Sequence, residues 1–138
     1  GDSLLLGLDM VKDRKTLTAA YNDDQFVTAA FNKNILSVVN RIAKTNFNEE
    51  DFTHIAFFNE QKSRIEMHLK ALRDIAVNSP LIEEELFIRE GETIHTENSR
   101  KFTLADIREL SNVSGLSIQG IYTDKHEWFS LVHLICTG

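Results

Sequence analysis

The sequence predicts an α/β protein of the α+β kind, and three observations carry that prediction. The chain opens on a continuous apolar run, Leu4-Leu5-Leu6-Gly7-Leu8-Asp9-Met10-Val11. A helical apolar pattern follows, then a strand-rich middle, then a closing helix, strand, loop and strand. Unbroken apolar runs suit strands buried on both faces, typically in a parallel sheet. A domain rarely opens on such a central-type strand, so the sequence is expected to be the later part of a longer fold.

Residues 14–45 read as helical. Val27, Phe31, Ile35, Val38, Val39 and Ile42 recur at helix spacing and define one apolar face. A shorter helical segment covers Thr16–Tyr21, and Asp23 or Asp24 caps the main helix, where acids also suit the helix dipole. Those adjacent acids read as caps rather than as metal ligands. Asn48-Glu49-Glu50-Asp51-Phe52 reads as a capped helical turn.

From Ser63 to Leu72 the apolar residues Ile65, Met67, Leu69 and Ala71 alternate with Arg64, Glu66, His68 and Lys70. A period of two predicts a half-buried strand. His54–Asn59 is its expected partner, with Asn59–Lys62 as the turn. Arg73–Asn78 is expected to continue the meander until Pro80, the one proline, interrupts it. Leu86-Phe87-Ile88 and Thr93–Ser99 are then expected to form a hairpin across Glu90-Gly91. Thr103-Leu104-Ala105-Asp106 has the form of a capping box, and a helix follows to about Ser114 with Gly115 suited to end it. Leu116–Thr123 and Trp128–Thr137 read as strands joined by a loop over residues 124–127.

The 138 residues, 42% hydrophobic and 26% charged, fit one globular domain with a modest core. A net charge of −6 argues against nucleic acid and anionic membranes as partners. No apolar run reaches the roughly 18 residues of a membrane span, and Gly1-Asp2-Ser3 lacks the basic start of a signal peptide. The lone Cys136 is expected to be a buried residue of the last strand, and its isolation points to a cytoplasmic origin.

Five blocks carry a family resemblance. They are Leu6-Gly7-Leu8-Asp9-Met10-Val11-Lys12-Asp13, Ala20-Tyr21-Asn22-Asp23, Val27-Thr28-Ala29-Ala30-Phe31-Asn32, Ser63-Arg64-Ile65-Glu66-Met67-His68-Leu69, and Gly91-Glu92-Thr93-Ile94-His95-Thr96-Glu97-Asn98-Ser99. In this order and at this spacing they resemble the histidine-specific methyltransferase family, nearly end to end. That family includes the enzyme that trimethylates the α-amino group of L-histidine on the route to ergothioneine. The tail likewise resembles the closing elements of a class I, Rossmann-like methyltransferase, whose last strand is antiparallel and lies between its neighbours.

The resemblance implies an organisation. Residues 1–12 and 102–138 would be the C-terminal part of the Rossmann-like domain, and residues 13–101 an inserted substrate-binding subdomain. Leu4–Val11, Leu116–Thr123 and the final strand should then form one sheet with the final strand in the middle.

Glu97 and Ser99 lie two apart on a predicted strand, so their side chains share a face with His95 and Thr93. A carboxylate beside a hydroxyl can grip an imidazole, because Glu97 accepts an N–H and Ser99 can donate or accept. By resemblance, Glu97 and Ser99 read the histidine ring. Tyr21 holds the backbone end of the amino acid, Met67 lines the pocket and Thr28 makes a ring-side polar contact.

Methyl transfer to an amine needs an aligned neutral amine and exclusion of water, with no covalent nucleophile and no metal. No catalytic side chain and no metal site is therefore expected, and the five histidines show no zinc-type ligand spacing. The family's cofactor, S-adenosylmethionine, calls for a Gly-rich loop that this sequence lacks. The family's substrate-orienting asparagine would also lie upstream. The expected protein is thus a C-terminal fragment of a histidine-type methyltransferase, binding a histidine-like amino acid but not S-adenosylmethionine, and inactive alone. The alternative is a stand-alone, non-catalytic domain that retains the substrate-side fold. The Leu4–Val11 edge is expected to pair two copies into a homodimer or larger assembly.

Overall fold

The computed structural model describes residues 1–136, so the expected strand position Thr137 lies outside the described residues. The elements run β1 (Ser3–Asp9), α1 (Arg14–Tyr21), α2 (Val27–Ala43), a 3-10 turn (Glu49–Asp51), β2 (Phe52–Asn59), β3 (Arg64–Ala71), β4 (Ile75–Val77), β5 (Leu86–Ile88), β6 (Thr93–Arg100), α3 (Leu104–Ser114), β7 (Leu116–Thr123) and β8 (Phe129–Cys136). The chain divides into two compact units: Gly1–Arg14 with Glu60–Arg64 and Arg100–Gly138, and Lys15–Asn59 with Ile65–Ser99.

The first unit holds a three-stranded sheet in the order β1-β8-β7. The last strand lies in the middle and is antiparallel to both neighbours, with Leu6 opposite Val132 and Ile121 opposite Val132 on the other side. That is the arrangement expected from the tail. Helix α3 starts at the anticipated capping box, with Thr103 and Asp106 exchanging bonds, and stops at Gly115, which takes a positive φ of 68°. Its Ile107 is buried with Leu8, Met10, Val132 and Leu134. Leu8 and Met10 face this core, whereas Leu5, on the opposite face of β1, is 59% exposed. The opening run is therefore buried on one face only, and its strand pairing is antiparallel. The reason is that α3 covers just one side of the sheet.

The outer edge of β1 is not wholly open. Val11 N–H donates to the Phe102 carbonyl and Phe102 N–H to the Asp9 carbonyl, both at 2.9 Å, forming a parallel bridge. The buried Lys101 beside it donates to Asp9 at 2.5 Å, and Lys12 donates to the same carboxylate at 2.6 Å. Along the Leu4–Val11 edge expected to pair two copies, Leu8 and Met10 are in the core, Leu6 is half-buried, and Leu4 and its alternate Leu5 are exposed. Cys136 is exposed rather than buried, because it occupies the last position of β8, beyond the Val132 and Leu134 that Ile107 packs against.

The second unit is built on the sheet β2-β3-β6. The period-two reading of β3 holds on one face, where Ile65, Met67, Leu69 and Ala71 are all at most 2% exposed. Helix α2 ends close to the expected point, but the face it buries is not the one the apolar pattern selects. Val27, Phe31, Ile35 and Ile42 are exposed, and the buried residues are Asn32 and Leu36. Polar partners explain the choice, since Asn32 has three of them waiting beneath the helix (below). Arg73–Asn78 does not extend the meander. Its Ile75–Val77 pairs with Leu86–Ile88 as a separate two-stranded sheet. The hairpin expected across Glu90-Gly91 does not form either, because β6 lies next to β3. The backbone at Gly91 and Glu92 bonds instead to Ala71, at 2.9 Å in each direction, with Gly91 at a φ of 85° that suits glycine. Among the described residues no helix is long and apolar enough to cross a membrane.

Candidate functional site

Tyr21 is the last residue of α1, and Asn22 stops the helix by donating its side-chain amide to the carbonyls of Thr18 and Ala56. The tyrosine ring packs against the buried cluster of Leu17, Ala56, Phe58, Ile65 and Met67. Its hydroxyl lies 2.8 Å from the Ser99 hydroxyl. Three of the residues singled out by sequence, Tyr21, Met67 and Ser99, therefore come together although they are up to 78 positions apart.

A buried polar network holds Tyr21 in place. His54 Nε2 meets the Tyr21 carbonyl at 2.9 Å, and its Nδ1 meets the Asn32 side-chain amide at 2.9 Å. A carbonyl can only accept, so Nε2 carries the proton and Nδ1 accepts from Asn32. Asn32 also donates to the His68 carbonyl at 3.1 Å. The Thr96 hydroxyl lies 2.6 Å from Asn32 Oδ1 and 2.9 Å from the Met67 carbonyl. These contacts tie the end of α1 to α2, β3 and β6, the strand that bears Glu97 and Ser99. Buried polar groups must find partners, and here they find one another.

Thr28 sits in the first turn of α2, half-buried. Its backbone N–H and that of Val27 both donate to Asp23, at 2.9 Å each. Hydrogen bonds from Thr28 and then from Val27 hold the Asp23 carboxyl down to about 2. Asp23 thus caps the helix as expected, although Phe26, in a left-handed conformation, occupies the cap position itself.

Glu97 lines a small cavity of about 130 Å³ with Phe31, Asn32, Ile35, Val38 and Thr96. Tyr21 lines a larger one of about 250 Å³ with Asp23, Phe26, Lys33 and His54. Of the four β6 side chains expected to share a face, three meet different neighbours. His95 stacks on His68 with ring centroids 4.5 Å apart, Glu97 looks into the α2 cavity, and Ser99 meets Tyr21.

Among the described residues one set of side chains could hold a metal ion, namely Glu66, His68 and His95. Sequence spacing gave no hint of it, because His95 comes from a strand that is distant in the chain. The network residues Asn32, His54 and Thr96 were missed as well. The available signal was weak, because Asn32, four residues before Leu36, is one of three asparagines in this helix.

Similarity to known proteins runs over almost all of this geometry. The chain is 40% identical over 131 residues to a histidine N-alpha-methyltransferase of Mycolicibacterium smegmatis. It is 38% identical over the same length to one of Mycobacterium tuberculosis. In each case the match covers 95% of this chain but 41% of the relative, so the chain spans about two fifths of the length of these curated relatives. The family model described as histidine-specific methyltransferase, SAM-dependent, matches residues 1–136, a span that takes in all three described sheets together with Tyr21, Met67, Glu97 and Ser99, and on that match the chain belongs to the histidine-specific, S-adenosylmethionine-dependent methyltransferase family.

Proposed function

We propose that this chain supplies the amino-acid-recognition part of an enzyme that methylates the α-amino group of L-histidine. The observation that carries the reading is the junction of Tyr21, Ser99 and Met67, with Glu97 two residues before Ser99 on β6, within a chain 40% identical over 95% of its length to a histidine N-alpha-methyltransferase. Glu97 accepts a ring N–H of histidine, and Phe31 and Ile35 offer apolar walls beside it. Ser99, oriented by Tyr21, bonds the other ring nitrogen, and Thr28 gives a polar contact at the ring side. Met67 packs beneath Tyr21 and keeps water out. In this reading residues 13–101 are the substrate-binding insertion, and β1, α3, β7 and β8 are closing elements of a class I, Rossmann-like domain.

S-adenosylmethionine is the methyl donor that the family description names. The residues present do not fit it. A nucleoside cradle needs glycines in an open loop, but Gly7 lies within β1, where a Cβ would come within 2.7 Å of the Phe129 ring. Gly115 closes a helix. The donor therefore belongs to other parts of the enzyme, and the role of this chain is to bind and orient the acceptor amino acid.

Titration calorimetry of the chain with L-histidine and with L-leucine tests the proposal. Histidine should be preferred, and Glu97→Ala should remove about 1.5–3 kcal/mol of that preference, roughly 10- to 100-fold. Equal losses for the two amino acids would overturn the role of Glu97. Absence of any preference in the unaltered chain would overturn the substrate assignment.

A further inference from the structure

Glu66 and His68 are two apart on β3 and share the face opposite the Met67 core, and His95 reaches them from β6. One ligand atom from each residue lies within 4.8 Å of those of the other two. His68 Nε2 is 3.5 Å from Glu66 Oε2. The His68 and His95 rings are parallel to within 11° at 4.5 Å, and Phe57 stacks on His68 at 5.4 Å. Both β3 side chains are largely buried, with 14% of His68 and 9% of Glu66 exposed.

We propose that Glu66, His68 and His95 form a binding site for a divalent transition-metal ion of the zinc type. Two imidazoles and one carboxylate are the donor set such ions prefer. Zinc holds nitrogen and oxygen ligands at about 2.0–2.1 Å, which places tetrahedral ligand atoms about 3.3–3.4 Å apart. The His68–Glu66 separation is already close to that value. His95 is exposed, and rotation about its side-chain bonds turns its ring out of the stack with His68 and brings its ligand nitrogen in from at most 4.8 Å.

The surrounding groups set the ligands in the required state. Asn59 donates to Glu66 Oε1 at 3.0 Å, on the carboxylate oxygen other than the one near His68. His95 Nε2 faces two acceptors, the Glu97 carbonyl at 3.2 Å and Asn98 Oδ1 at 2.9 Å. Nε2 therefore carries the proton, and the neutral ring keeps its lone pair on Nδ1, as in metal sites where the outer nitrogen bonds a backbone carbonyl. With two neutral rings and one carboxylate, a bound dication would leave the cluster a net charge of +1, which a bound hydroxide or other anion would offset. Three protein ligands leave one position for water. The ion would clamp β3 to the strand that carries Glu97 and Ser99, a role separate from methyl transfer and from the reading of that site above.

Titration of the chain with Zn²⁺ by calorimetry and with Co²⁺ by visible absorption tests the site. One ion per chain is expected, with Co²⁺ giving the intense visible bands of a four-coordinate site. His95→Ala should weaken Zn²⁺ at least tenfold without changing the far-ultraviolet circular dichroism, since this side chain is exposed. Asn59→Ala should weaken it roughly tenfold through the outer shell, and His126→Ala, at a surface loop, should leave it unchanged. Absence of saturable binding, or equal affinity in the unaltered chain and His95→Ala, would overturn the proposal.

Discussion

The sheets β1-β8-β7 and β2-β3-β6 each have three strands and a helix that contributes to their core, but they bury different chemistry. In the first, α3 sets Ile107 on Leu8, Met10, Val132 and Leu134, and the main buried charge, Lys101, is matched by Asp9. In the second, α2 lays Asn32 across His54, Thr96 and the His68 carbonyl, while Glu66 and His68 occupy the far face of β3. An apolar layer is stable almost wherever shapes fit, whereas a polar network fixes orientation because each partner must be met at hydrogen-bonding distance. The sheet with the polar interior is the one that carries the candidate recognition residues.

The largest test of this contrast is Ile107→Ala. Removing a fully buried branched side chain should cost the first unit about 2–5 kcal/mol, read by urea denaturation through the fluorescence of Trp128, the one tryptophan. A loss below about 1 kcal/mol would mean that the layer repacks freely. Next is Asn32→Leu, which keeps bulk but strands His54 Nδ1 and leaves the Thr96 hydroxyl only the Met67 carbonyl. A loss of about 2–3 kcal/mol is expected from unsatisfied buried groups, followed by circular dichroism. It should be accompanied by weaker histidine binding, because Tyr21 loses its anchor. A stabilised variant would show that the network is dispensable.

Lys101→Met should have a smaller effect, about 1–2 kcal/mol, because Asp9 is one-third exposed and keeps Lys12. Partial burial pushes the Asp9 carboxyl up, but hydrogen bonds from Lys101 and Lys12 outweigh this and hold it below its ordinary value of 3.8. A carboxyl lowered on folding contributes stability above its unfolded pKa and loses it as pH falls through the folded one. The unaltered chain should therefore lose this stability below about pH 4, and Lys101→Met should show a shallower loss over the same window. Acid profiles of equal steepness would contradict the pairing. The smallest effect is expected at Ser130, whose buried hydroxyl has no hydrogen-bond partner among the described residues. Ser130→Ala should change stability by no more than about 0.5 kcal/mol, in the stabilising direction if at all. A clear destabilisation would reveal a partner for that hydroxyl.

The sequence by itself determined the elements whose information is local. The capping box at Thr103, the stop at Gly115, the alternation of β3 and the capping role of Asp23 are each written within a few residues, because hydrogen bonds and side-chain periodicity act at that range. The order of the closing sheet was legible through the tail's resemblance to the family fold, and the block pattern nominated Tyr21, Met67, Glu97 and Ser99 as candidates. Tertiary structure alone decided the rest. It chose Asn32 and Leu36 over the apolar stripe of α2, paired β5 with β4 rather than β6, and brought His95 to Glu66 and His68. Each of those outcomes depends on a partner far away in the chain. A buried amide or imidazole is stable only where that partner stands, and no local pattern records where that is.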